Sequence, residues 1–298
     1  MFANDLKFTL HSGDEIPMVG LGTSGITGKS LAKEVLDFAL EAGYRLIDTS
    51  PMYGNESDIG KALKEVLQKH GLTRKDVFIS TKLHPDDHGD RAVKAIHKSL
   101  QKLQCEYIDL YMINWPGAYG VSTSSKENVV LRDKSWQHMV KAVQEGLIRN
   151  IGVSSYTPRH MKQLLQNNHG IKPSVNQIEW HPFCHDKKIY ELCQKENILV
   201  QAYQSLGGPD NNDLLEHSDV VRIAKMLDKQ PAQISLACFQ VLLRWALQQN
   251  VSVIPKSKTK ARIFANMELK FTIPESDMKV LSNFKKKIRY DWDPEQIV

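Results

Sequence analysis

Gly43-Tyr44-Arg45-Leu46-Ile47-Asp48-Thr49-Ser50-Pro51-Met52-Tyr53-Gly54-Asn55-Glu56 is the stretch whose reading decides this chain. A short apolar strand runs into Asp48, and a Ser-Pro turn presents Tyr53 five residues later. Further on, the apolar run Val77-Phe78-Ile79-Ser80-Thr81 delivers Lys82 at its end. Short apolar runs bounded by turn residues read as buried strands. A carboxylate, a phenol and an ammonium at the ends of neighbouring strands suit proton delivery to a carbonyl oxygen without a metal. A free phenol, with a pKa of about 10, is a weak acid near neutrality. An ammonium beside it favours the phenolate, and a carboxylate keeps that ammonium charged and oriented.

Working outward, a hairpin is expected at the start: Lys7-Phe8-Thr9-Leu10, a His11-Ser12-Gly13-Asp14 turn, then Glu15-Ile16-Pro17. Strands are expected at 19–22, 45–48, 77–81, 107–113, 150–153, 174–178, 199–203 and 251–254. Helical patterns fall between them near 29–42, 56–69, 90–104, 135–145, 158–167, 186–196 and 232–248. Strands alternating with helices predict parallel βαβ units, and eight of them favour a closed (β/α)8 barrel over an open sheet. In such barrels the chemistry sits at the C-terminal ends of the strands, where Asp48, Lys82, Asn114 and Tyr203 all fall. No linker, repeat or low-complexity tract divides the chain, so one domain over residues 1–298 is expected.

The bulk properties narrow the classes. The chain has 298 residues, 41% hydrophobic and 24% charged, which is ordinary for a globular protein with a large core. A formal charge of +5 without a long basic run argues against nucleic-acid binding; Lys285-Lys286-Lys287 reads as a solvated helix end. No apolar run approaches the roughly 20 residues of a membrane span, and the first residues carry no signal-peptide pattern. Four scattered cysteines without C-x-x-C spacing suit a reducing compartment, so a cytoplasmic protein is expected. His181-Pro182-Phe183-Cys184-His185 lacks the spacing of a four-donor zinc site, and no metal is expected.

Three segments together resemble the aldo-keto reductase superfamily, near its aldose reductase branch. They are the Asp48–Tyr53 stretch extended to Gly60, Gly146-Leu147-Ile148-Arg149-Asn150-Ile151-Gly152-Val153-Ser154, and Ile254-Pro255-Lys256-Ser257 followed by Arg262 and Asn266. The resemblance runs from about Lys7 to Val298. It implies the same barrel and a monomeric, alcohol dehydrogenase (NADP+)-like reductase of small-molecule aldehydes or ketones. Tyr53 would be the general acid, Lys82 would lower its pKa, and Asp48 would pair with Lys82.

The chain has no G-x-G-x-x-G after a strand, so a nicotinamide cofactor is argued from the late loops of the barrel. Lys256, Ser257 and Arg262 offer a cation, a hydroxyl and a guanidinium that suit a 2′-phosphate. The resemblance accordingly implies NADPH/NADP+, with Asn266 near the adenine. It also places Thr23, Ser154, Ser155, Gln177 and Tyr203 around the nicotinamide end. Gln204, Ser205 and Leu206 follow toward the pyrophosphate, with Asp210 in the loop that folds over it.

Several positions depart from the family pattern. The residue before Trp115-Pro116 is Asn114, where the family usually has a histidine that helps hold the carbonyl oxygen. An asparagine amide still donates a hydrogen bond but cannot change charge. Ser155 replaces an asparagine, and Gln204-Ser205-Leu206-Gly207 replaces a Ser-Pro-Leu-Gly run. In the substrate pocket Ser24 and His84 replace tryptophans and Trp115 lines the mouth. If its strand continues past Lys82, His84 points into that mouth, either as a polar substrate contact or as plain wall. With the short segment 289–294, a more open and more polar pocket is expected. Two functional readings remain open: a reductase, or an NADPH-binding structural or sensing protein with weak or no turnover because of Asn114.

Overall fold

The computed structural model describes residues 5–208, 212–227 and 233–298. The chain opens with an antiparallel hairpin, β1 (Lys7–Thr9) and β2 (Glu15–Pro17), which pairs Phe8 with Ile16. Its turn is tied to the barrel through Asn150, which accepts from Ser12 Oγ at 2.6 Å and donates to Asp14 Oδ2 at 2.8 Å.

Eight parallel strands follow in sequential order: β3 (Leu21–Gly22), β4 (Leu46–Asp48), β5 (Phe78–Leu83), β6 (Ile108–Ile113), β7 (Ile148–Ser154), β8 (Val175–Glu179), β9 (Leu199–Tyr203) and β10 (Ser252–Val253). The first and last meet. Val253 N donates to Met18 O at 2.8 Å, Gly20 N to Val253 O at 2.8 Å, and Gly22 N to Pro255 O at 3.1 Å, which closes the (β/α)8 barrel. The seam is tight: a Cβ on Gly20 would lie 2.5 Å from Leu46, and one on Gly22 would lie 2.7 Å from the Ile254 carbonyl. β5 and β6 are buried at every residue, as expected for parallel strands covered on both faces.

The helices are α1 (Lys29–Glu41), α2 (Glu56–Lys69), α3 (Ala92–Leu103), α4 (Glu127–Gln144), α5 (Pro158–Gln166), α6 (Lys187–Lys195), α7 (Ser218–Lys225), α8 (Ile234–Leu247), α9 (Lys260–Ala265) and α10 (Glu275–Ser282). In α2, Ile59, Leu63, Val66 and Leu67 bury one face; Glu56 and Asp58 suit the N-terminal end of the helix dipole and Lys69 the other end. Helix α4 begins eight residues before the expected 135, because its first turns bury polar side chains rather than apolar ones. Asn128 Oδ1 accepts from Ala118 N at 3.0 Å, and Arg132 Nη1 donates to Pro116 O at 2.7 Å. These bonds fasten the loop after β6 above the barrel mouth, and they erase the apolar periodicity from the sequence. Helices α7, α9 and α10 were not placed by periodicity; at six to eight residues each they are too short for a clear pattern, and α10 ends at Ser282, before the Lys285–Lys287 cluster read as a helix end. Among the described residues no helix is long and apolar enough to cross a membrane.

Candidate active site

The strand registers gather the site. Gly22 lies beside Asp48 and Asp48 beside Ser80, so β3 and β4 end at one level and β5 continues past them to Leu83. Asp48 ends β4, Lys82 is the penultimate residue of β5, Asn114 follows β6, and Ser154 and Tyr203 end β7 and β9. Their side chains open into a cleft of about 1070 Å³ at the C-terminal mouth.

At its base Lys82 Nζ donates to Asp48 Oδ2 at 2.7 Å and to Thr49 O at 3.0 Å, and it reaches Tyr53 Oη at 3.4 Å. Asp48 and Lys82 are each 1% exposed. The other carboxylate oxygen, Asp48 Oδ1, accepts from Ser80 Oγ at 2.7 Å and from Gln177 Nε2 at 3.0 Å. A buried ion pair with its remaining valences filled is the arrangement in which desolvation is best offset. Asp48 and the Tyr53 phenol hold Lys82 protonated, against burial, and its ammonium pKa is raised. Tyr53 stands on the short 3-10 turn Pro51–Tyr53, where Ser50 Oγ accepts from Met52 N at 3.2 Å. Burial pushes the Tyr53 phenol up, and Lys82 draws it down by less, so its pKa is raised overall. Lys82 thus acts on the Tyr53 phenol in the expected direction, and the ammonium moderates the larger effect of desolvation.

Asn114 faces the same space and is already engaged. Its Nδ2 donates to Met52 Sδ at 3.1 Å, and its Oδ1 accepts from Ser50 Oγ at 3.3 Å. One amide hydrogen stays available for a further acceptor. Ser24 and Trp115 also line the cleft. His84 does not. β5 stops at Leu83, and His84 caps the following 3-10 turn, with Nδ1 accepting from Asp86 N at 3.1 Å. Its ring packs edge-on against Tyr119 at 5.5 Å. The strand continuation that would turn His84 into the mouth is absent, which corrects its place in the substrate pocket.

Thr23, Ser154, Ser155, Gln177, Tyr203, Gln204, Ser205 and Leu206 line the next part of the cleft. Thr23 Oγ1 donates to Asp48 O at 2.9 Å, which ties the end of β3 to β4. Ser155 and Tyr203 share a hydrogen bond of 3.2 Å between their hydroxyls. Ser155 has φ 60° and Gln204 φ 49°. The left-handed region suits asparagine better than serine or glutamine, so both departures from the family pattern sit where the backbone is strained. Burial pushes the Tyr203 phenol strongly upward.

Lys256 and Arg262 line the far end of the cleft, both exposed. Ser257 and Asn266 are buried behind them and outside the cleft wall. Ser257 Oγ accepts from Thr259 N at 3.2 Å, which shapes the approach to α9. Asp210 lies outside the described residues. Two buried polar atoms in this half, Gln204 Oε1 and Asn266 Oδ1, have no hydrogen-bond partner. Buried acceptors are rarely left so, and Gln204, which lines the cleft, fits a donor arriving with a ligand.

Among the lining residues that sequence reasoning did not single out are Met52, Asp291 and Trp292. Met52 was visible as the neighbour of Tyr53. Asp291 and Trp292 carry a weaker signal, an acid and an aromatic just after the basic run Lys285–Arg289. Trp292 meets Trp115 edge-on at 5.7 Å, so the C-terminal segment forms one wall of the mouth.

A family model described as the aldo/keto reductase family matches residues 18–286. This chain belongs to that family. Among curated relatives it is 34% identical to aldo-keto reductase family 1 member A1 of Xenopus tropicalis, over 95% of this chain and 89% of that protein. It is also 34% identical to glyoxal reductase of Bacillus subtilis, over 97% and 96%. Among solved structures, aldose reductase from Schistosoma japonicum superposes with a TM-score of 0.83 at 32% identity, over 95% of this chain and 93% of that one. A Bombyx mori aldo-keto reductase in complex with NADP gives 0.83 at 30% identity, over 96% and 94%.

Proposed function

We propose that this protein reduces aldehydes or ketones to alcohols with NADPH, with Tyr53 as the general acid. The observation that carries this reading is the Asp48–Lys82–Tyr53 chain, an ion pair of 2.7 Å and an ammonium-to-phenol contact of 3.4 Å, at the base of the cleft.

NADP(H) fits the cleft on chemical grounds: a polar stretch from Ser154 to Leu206, two cations at the far end, and the unpartnered Gln204 oxygen. Ser154, Gln177 and Tyr203 would hold the nicotinamide end. Ser155 would stand beside Tyr203 at that end, and Gln204, Ser205 and Leu206 would line the pyrophosphate path. Lys256 and Arg262 would take the 2′-phosphate through charge-assisted bonds, with Asn266 near the adenine. When bound, NADPH supplies the hydride for the carbonyl carbon. The rest belongs to the chain. Asn114 positions the carbonyl oxygen with its remaining amide hydrogen, and Tyr53 Oη–H donates its proton to that oxygen. The phenolate left behind is stabilised by the Lys82 ammonium, which Asp48 keeps oriented, until solvent returns a proton. Free thiols at all four cysteines fit a reducing compartment such as the cytoplasm.

A second reading, cofactor binding without turnover, draws on Asn114 being engaged by Met52 and Ser50. NADPH oxidation with small aldehydes, dicarbonyls and quinones, run beside Tyr53→Phe, separates the two. Turnover abolished by the substitution supports the reductase. NADPH binding seen by tryptophan fluorescence, with no carbonyl reduced, would leave only the binding protein.

A further inference from the structure

The charged side chains that line the cleft fall into distinct groups. Asp48 and Lys82 neutralise each other at the base, and Lys256 and Arg262 stand together at the far end. Glu216 is exposed on the segment leading to α7. That leaves Asp291 in the catalytic half, on the wall beside Trp292, with its charge acting on both the Tyr53 and the Tyr203 phenols.

The fold holds Asp291 rigidly. The buried Glu179 at the end of β8 accepts from Tyr290 N at 2.7 Å and from Asp291 N at 3.1 Å, and it also pairs with His181 Nε2 at 2.9 Å. The Tyr290 ring sits against Gly208, where a Cβ would lie 2.5 Å from Tyr290 Cδ1, and against the His181 ring at 5.2 Å. Trp292 N donates to Asp291 Oδ1 at 2.8 Å. Farther on, His160 Nε2 donates to Ile297 O at 2.8 Å and closes the tail down. Arg289, the cation nearest in sequence, pairs with Asp293 at 3.9 Å and acts on Asp291 only at longer range; among the described residues Asp291 has no ion-pair partner within 4.0 Å. Asp291 is exposed at the cleft mouth, and its carboxylate, with one oxygen uncommitted, acts on whatever binds there across a partly solvated gap.

We propose that Asp291 is a specificity-determining residue, which makes this site favour carbonyl substrates bearing a positive charge and reject those bearing a carboxylate or phosphate. The inference rests on the carbonyl-reductase reading and adds a substrate class to it. Burial raises the Asp291 carboxyl somewhat, and the Trp292 N–H opposes that rise. The geometry carries the proposal without it.

Three para-substituted benzaldehydes of similar size test it, at saturating NADPH: one bearing a trimethylammonium group, one a methyl ester and one a carboxylate. Between unit charges separated by the width of such a ring, the expected effect on kcat/KM is about tenfold in each direction, so the cation-to-anion ratio is on the order of 100. Salt at about 0.5 M should shrink that ratio severalfold in the unaltered protein. Asp291→Asn should bring it to near unity, Asp291→Glu should retain it and Asp291→Lys should invert it. A merely structural role for Asp291 would move all three aldehydes together. If the aldehydes are reduced but the ratio is the same in Asp291→Asn, the proposal is overturned and the reductase reading stands. If none is reduced, including the ester, the reductase reading falls and takes the proposal with it.

Discussion

Replacing Lys82 with methionine tests whether the base of the cleft is organised as described. Methionine keeps the length and the apolar stem and removes the ammonium. Asp48, 1% exposed, would retain its bonds from Ser80 and Gln177 but lose the partner of Oδ2. The Thr49 carbonyl would lose a donor at 3.0 Å as well. Removing one member of a buried pair costs about 3–5 kcal/mol, and an orphaned carbonyl places this case toward the upper end, about 4–5 kcal/mol. Unfolding entropy of about 2.1 cal/mol/K per residue, taken over 298 residues, converts that into a fall in Tm of about 6–8 °C. The double variant Asp48→Asn/Lys82→Met carries no uncompensated charge, and its asparagine Oδ1 can still accept from Ser80 and Gln177. It should be more stable than the sum of the two single changes predicts by about 2–3 kcal/mol. Thermal unfolding of the cofactor-free protein by circular dichroism reads both quantities. A single variant within about 2 °C of the parent, or strict additivity in the double, would refute the view that Asp48 and Lys82 depend on each other.

Other outcomes follow from the same geometry. Burial raises the Tyr53 phenol above its ordinary value of 10.0, so the parent-minus-Tyr53→Phe difference at the phenolate absorbance band should stay flat up to pH 10; a midpoint below that contradicts the assignment. Asn114→Ala removes the amide donor and should lower kcat/KM for aldehydes by about 100-fold while leaving the NADPH dissociation constant within about threefold; a loss under threefold in kcat/KM would remove Asn114 from substrate positioning. Burial pulls His88 and His160 down from 6.5 to about 4. As pH falls through 6.5 the unfolded chain takes up these protons first, so stability is lost between pH 6.5 and 4, by about 3 kcal/mol for each histidine. Urea unfolding across that range reads the slope, and His88→Gln should flatten it; an unchanged slope would contradict the assignment.

The barrel was legible because each parallel strand is buried on both faces and leaves an apolar run bounded by turns, as at Leu199–Tyr203, where expectation and structure coincide. Helix α4 shows the limit of that reading. Asn128 and Arg132 bury against the loop above the mouth and Ser135 against His88 and Gly89, and a buried polar face has no apolar period to find. Asp48, Tyr53 and Lys82 could be named from the sequence because chemistry at strand ends is a local pattern. His84 could not be placed, since its direction depended on one residue of strand that the chain does not extend.

By itself the sequence determined the strand–helix alternation, the family segments and the identity of the groups at the base of the cleft. Periodicity and short motifs are local properties, and they survive without knowledge of contacts. Only the tertiary structure decided what those groups touch. The Asn114 amide lies against Met52, 62 residues away, and Glu179 clamps the Asp291 backbone across 112 residues. Such pairs are set by the packing of distant elements around a closed barrel. The net rise of the Tyr53 pKa is likewise a balance between burial and a neighbouring charge, and burial exists only once the chain has folded.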